Sequence, residues 1–153
     1  NIQRYSKWAI RFCLKSIRKG KHFMAKNKIV ESWLTKANDD YSFAVMTLSH
    51  EVSFYPHICF HFHQAVEKYL KAYIINNDLQ FEKIHDLTEL HRICVNHDSD
   101  LENLEDAVEF LNQFYIETRY PVHWPVNYDK KTAKKAEKYA TEVKEIITSK
   151  TSN

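Results

Sequence analysis

Glycine is nearly absent from this chain: Gly20 is the only one among 153 residues, alongside three prolines and three cysteines. A phosphate-cradling P-loop and the dinucleotide-binding fingerprint each require more than one glycine, and the nucleophile elbow of serine hydrolases has glycines flanking its serine. Three enzyme classes are excluded by that one count. Tight hairpins lack their usual turn residues for the same reason. Cys13, Cys59 and Cys94 are odd in number, widely spaced and without a CxxC pair, which argues against a disulfide framework and a thiolate zinc site. Buried, reduced thiols in a cytoplasmic protein are the expectation. No apolar run reaches the roughly 18 residues that a membrane span needs. Arg11 and Lys15 interrupt the first apolar stretch, which argues against a secretory signal.

What is present is core material: 44% of residues are hydrophobic and 14% aromatic, ample for one domain of this length. Charge is unevenly distributed. Arg4, Lys7, Arg11, Lys15, Arg18, Lys19 and Lys21 stand in residues 1–24 with no acidic side chain, leaving 15 basic against 20 acidic residues in 25–153. A basic head of this kind suits a nucleic-acid or anionic lipid surface. It equally fits upstream sequence ahead of a start at Met24, and we take residues 1–24 as a loosely attached extension and 25–153 as the domain.

From Met24 onward the apolar period is helical. Trp33, Ala37, Tyr41, Ala44 and Leu48 recur at threes and fours, giving a long first helix. The segment from Pro56 to Ile75 is apolar around most of its circumference, so it is expected to be buried by several neighbours. Its polar stripe is Gln64, Glu67, Lys68 and Lys71, with Glu67 and Lys71 set for an i,i+4 ion pair. Asp86 opens a short helix carrying Leu87, Leu90, Ile93 and Cys94, ending near Asn96. Ser99 and Glu102 read as a capping box for a fourth helix bearing Leu101, Leu104, Val108, Leu111 and Tyr115, halted at Tyr120 by Pro121. Asp129 caps a last helix with Ala133, Ala136, Ala140, Val143 and Ile147 on one narrow stripe. The expected fold is all-α, an up-and-down bundle of four main helices plus a short one, without internal repeats.

Three segments carry a resemblance. Trp33, Ala37, Asp40 and Ala44 precede the run from Phe62 to Ala72, which reads Phe-His-Gln-Ala-Val-Glu-Lys-Tyr-Leu-Lys-Ala. Lys83-Ile84-His85-Asp86-Leu87 with Leu90 follows, and then Thr118-Arg119-Tyr120-Pro121. In this order they resemble the HEPN family (higher eukaryotes and prokaryotes nucleotide-binding domain), over about residues 31–147. The resemblance implies a helical homodimer in the cytoplasm, often partnered by a small nucleotidyltransferase in a toxin-antitoxin module. It implies no cofactor and no membrane.

Some members of that family are metal-independent ribonucleases with an arginine four to six residues ahead of a histidine. The arginine grips a phosphate while the imidazole moves the proton of a ribose 2′-hydroxyl. Arg119 and His123 are the pair implied here, but only Tyr120, Pro121 and Val122 separate them, and Pro121 stiffens the turn. Arg92 and His97 have the family spacing, yet on a helix such positions point roughly 140° apart. Two readings therefore stand: a dimeric nucleotide- or RNA-binding partner protein, and a ribonuclease toxin using Arg119 and His123. Lys68, Lys71, Tyr120 and His85 are the candidate nucleotide- or RNA-binding residues. The lysines alternatively serve as solvent-facing i,i+4 partners. Tyr120, His123 and Trp124 suit stacking on a base, or packing of a loop.

Other histidines invite metal chemistry. His57 and His61 lie one helical turn apart with His63 nearby, and His85-Asp86, with His57 or His61 upstream and Asp129 downstream, is similar to a His-Asp phosphohydrolase set. A solvated or core-edge role for the first group and helix caps for the carboxylates account for the same residues, and no metal is expected.

Overall fold

The computed structural model describes residues 2–50, 53–80, 83–117 and 128–152. Among them every regular element is helical. They are α1 (Ile2–Ser49), α2 (Tyr55–Asn76), α3 (Leu87–His97), a 3-10 helix (Ser99–Leu104), α4 (Glu105–Asn112), α5 (Phe114–Glu117) and α6 (Lys130–Thr151). No described helix is long and apolar enough to cross a membrane.

The centre of the fold is α2, which packs against α1, α3, α4, α5 and α6. Its apolar residues Ile58, Phe62, Ala65, Val66, Tyr69, Leu70 and Ile74 are wholly buried, as an all-round apolar helix requires. Each large side chain among them, withdrawn from water, contributes on the order of 1.5–3 kcal/mol. The partner surfaces are thin where they meet it: Ala37 and Ala44 on α1, and Ala133, Ala136 and Ala140 on α6, are all buried. Small side chains let the backbones approach closely, leaving room for the large residues of α2.

The helix ends follow local chemistry. Asp86 accepts hydrogen bonds from the Thr88 and Glu89 amides, and Asp129 from the Thr132 amide, so both predicted caps form. At the far end of α2 the turn usually made by glycine falls to Asp78, at φ 54°. The Leu79 amide reaches the Ile74 carbonyl and the Asp78 amide the Ile75 carbonyl, a Schellman closure. Lys26 of α1 donates to the Asn76 carbonyl and to Asp78 at 2.7 Å, placing a cation at the negative end of α2.

The predicted fourth helix is corrected by the structure. Asp98, not Ser99, caps the segment by accepting from the Asp100 amide, and the first turn is 3-10 rather than α. The α-helix then breaks at Gln113, whose side-chain amide donates to the Phe110 carbonyl. The last four-residue helix, α5, turns Phe114 into the core.

Asp86 also receives the Asn112 side-chain amide, so it ties α3 to α4. Substitution of Asp86 by Ala is expected to lower stability by about 1–2 kcal/mol, a helix cap and a tether together. Urea unfolding followed by circular dichroism measures it; an unchanged midpoint would show that neither bond contributes.

Candidate functional site

Two polar clusters ride on neighbouring stripes of α2. The first is built on residues four apart: His63, Glu67 and Lys71. Glu67 and Lys71 are each only 4% exposed and His63 is fully buried. Glu67 Oε1 accepts from Lys71 Nζ at 2.7 Å and from His85 Nδ1 at 3.1 Å. The Lys71 ammonium also stands over the Trp33 ring of α1, 5.6 Å from its centroid. Burial alone would push the Glu67 carboxyl up, but the polar neighbours His63, Lys71 and His85 outweigh it and bring it down to about 2. His63 Nε2 stands 3.7 Å from Oε2, beyond hydrogen-bond reach, so we assign the pull chiefly to Lys71 and His85. His63 Nδ1 meets the Leu111 carbonyl at 3.1 Å, and a carbonyl only accepts, so Nδ1 is the donor.

Tyr115 of α5 lies against both histidines. Its ring stacks on His85 with centroids 5.5 Å apart and planes 10° apart, and on His63 at 5.4 Å. His85 itself sits in the loop before α3, with half of its side chain exposed. The cluster thus runs from a buried ion pair outward to an accessible imidazole.

The second cluster contains Lys68. Its ammonium meets Asp40 Oδ2 at 2.6 Å and the Gln64 side chain at 3.2 Å, while His61 Nδ1 meets Asp40 Oδ1 at 2.9 Å. Asp40 is half-buried, which raises its carboxyl, and the His61 and Lys68 contacts reverse that to a net lowering. Phe43 packs on His61 at 4.5 Å and is 46% exposed, and Met46 and Phe54 are exposed at 57% and 60%.

Of the sequence candidates, His85 and Lys71 come together through Glu67, whereas Lys68 belongs to the Asp40 group. Arg119, Tyr120, His123 and Trp124 lie outside the described residues. The Arg92 and His97 match dissolves: Arg92 binds Glu89 at 2.8 Å and His97 packs edge-on to Tyr73. The residues of the His-Asp set are likewise separately employed, Asp86 and Asp129 as caps, His85 on Glu67 and His61 on Asp40. Among the described residues no group of three His, Cys, Asp or Glu side chains is placed to hold a metal ion. Cys59 and Cys94 are buried, and desolvation pushes both thiols up to about 12, too high for ready thiolate chemistry.

What sequence reasoning missed is the depth of Glu67 and the presence of His63 and Tyr115 beside it. The repeat of four along His63, Glu67 and Lys71 was the available signal. An open hollow of about 320 Å³ lined in part by His91, Arg92, Glu102, Glu105 and Glu109 shares no residue with this cluster. Three carboxylates there, with Arg92 already held by Glu89, make it a poor phosphate site.

A family profile described as HEPN domain matches residues 30–150. The crystal structure of TT1696 from Thermus thermophilus is similar, with 24% identity and a TM-score of 0.66, covering 79% of this chain and 97% of that one. The structure of ST0689, described as an archaeal HEPN homologue, shares 21% identity at a TM-score of 0.62 over 78% and 95% of the two chains. At these identities the likeness speaks for the fold alone. No curated protein sequence matches the chain.

Proposed function

Because this chain belongs to the HEPN domain family, we propose that it is a dimeric nucleotide- or RNA-binding protein, paired with a small nucleotidyltransferase in a toxin-antitoxin module. The working unit is the bundle of residues 25–153 in the cytoplasm, with residues 1–24 as a basic extension. The observation that carries the reading is the Glu67, Lys71, His85 and Tyr115 assembly. A buried ion pair holds an accessible imidazole that stacks on an aromatic ring of α5, and Arg119 follows Tyr115 by four residues in sequence. Lys68 and Lys71 are each already held by a carboxylate. That leaves Arg119 as the side chain suited to a bidentate grip on phosphate, with Tyr120 beside it in sequence.

The exposed large apolar side chains Phe43 and Met46, one turn apart on α1, support self-association, since such side chains at a surface favour a covering partner. The test of the binding reading is fluorescence anisotropy with a short single-stranded RNA. Arg119→Ala is expected to weaken binding by about tenfold, the effect of one lost phosphate contact. Equal affinity in parent and variant would remove Arg119 from the site.

A second reading, a metal-independent ribonuclease using Arg119 and His123, is favoured by the imidazole-rich setting around Tyr115, where His63 and His85 both meet its ring. Incubation with RNA in chelator separates the two. Cleavage lost on His123→Ala supports the nuclease, whereas intact RNA with both proteins supports the binding role.

A further inference from the structure

His85 offers a ligand something different from a cation. Its Nδ1 faces Glu67 Oε1 at 3.1 Å, and Glu67 is ionised at neutral pH, so Nδ1 must carry the proton. When the ring is uncharged, the other nitrogen, Nε2, carries the lone pair, on the side away from Glu67. Tyr115 lies parallel to the ring at 5.5 Å and fixes its plane. Half of the His85 side chain is exposed, and among the described residues no group is hydrogen-bonded to Nε2. The site therefore presents a fixed acceptor to solvent. Phosphate and ring-ether oxygens only accept, and they find no complement there. Along a nucleic-acid backbone the sole donor is the ribose 2′-hydroxyl, and deoxyribose has none.

We propose that His85 Nε2, held as an acceptor by Glu67, receives a hydrogen bond from a ribose 2′-hydroxyl and makes this chain prefer RNA to DNA. The inference rests on the nucleic-acid-binding reading above and adds what selects the ligand. Base amino groups also donate, but they are common to both nucleic acids and cannot produce the preference.

The test compares a short single-stranded RNA with the DNA of matching sequence by fluorescence anisotropy at neutral pH. The parent is expected to favour RNA by about three- to tenfold, the effect of one net hydrogen bond. His85→Ala should weaken RNA binding more than DNA binding and so close the gap between them, while His85→Gln, which keeps an acceptor at similar reach, should recover part of the preference. Because His85 is half-exposed, both variants are expected to fold. Nitrogen-15 spectra of the parent's imidazoles supply a readout independent of binding: a His85 protonated on Nδ1 supports the assignment, and one protonated on Nε2 overturns it. Binding of both nucleic acids with equal affinity, or equal weakening of both by His85→Ala, overturns this inference and leaves the binding reading standing. Binding of neither overturns both.

Discussion

Lys71→Met is expected to destabilise the domain by about 3–5 kcal/mol, because it leaves the Glu67 carboxylate buried without its cationic partner. Methionine keeps most of the apolar stem of the buried lysine, so the loss isolates the ammonium rather than the volume. Glu67→Gln should destabilise as well, since the buried ammonium then loses its carboxylate. The double variant Glu67→Gln with Lys71→Met should recover a large part of the loss, since replacing both ions is far less costly than orphaning one. Urea unfolding of the four proteins gives the coupling directly. A Lys71→Met loss below about 1 kcal/mol would place the pair among solvent-screened surface bridges, which contribute little.

The second large effect concerns acid. The Glu67 carboxyl lies at about 2 in the folded chain against an ordinary value of 4.5. The unfolded chain therefore takes up this proton first as pH falls. The stabilisation is complete above about pH 4.5 and is lost as pH drops towards 2, reaching at most about 3 kcal/mol. Asp40, Asp86, Asp98 and Asp129 are also lowered, so the parent's acid transition is a sum over several carboxylates. The Glu67→Gln, Lys71→Met double variant removes one contribution and retains the others. Its stability should fall less steeply than the parent's between about pH 5 and 2.5, by up to that amount. Parallel acid limbs for the two proteins would refute the assignment to Glu67.

Much of the fold is legible in the sequence because it is written in local terms. The near-complete apolar circumference of α2 demands neighbours on all sides, the alanines of α6 announce a close packing stripe, and Asp86 and Asp129 stand where caps are needed. The fourth segment departs from its sequence pattern because two caps compete in it: Ser99 has the capping-box spacing, but Asp98 adopts the extended backbone of a cap and takes the Asp100 amide. Asp98 is also reached by Lys150, 52 residues away, a contact that no local pattern contains. The site divides in the same way. The Glu67 and Lys71 spacing is visible, but a surface pair and a buried pair share that spacing. Burial comes from Trp33 on α1 and Tyr115 on α5, and Lys68 finds Asp40 from 28 residues away. Periodicity identifies which residues share a face and is silent on what covers it.

A single rod carries the Glu67 assembly and the Asp40 assembly, whose side chains alternate along it from His61 to Lys71. Their separation is fixed by the pitch of that rod, so neither can slide or roll alone. A displacement of α2 therefore carries Glu67 and Lys68 together, and a shift on the Tyr115 side of the rod is passed to His61 and to the Phe43 ring packed on it.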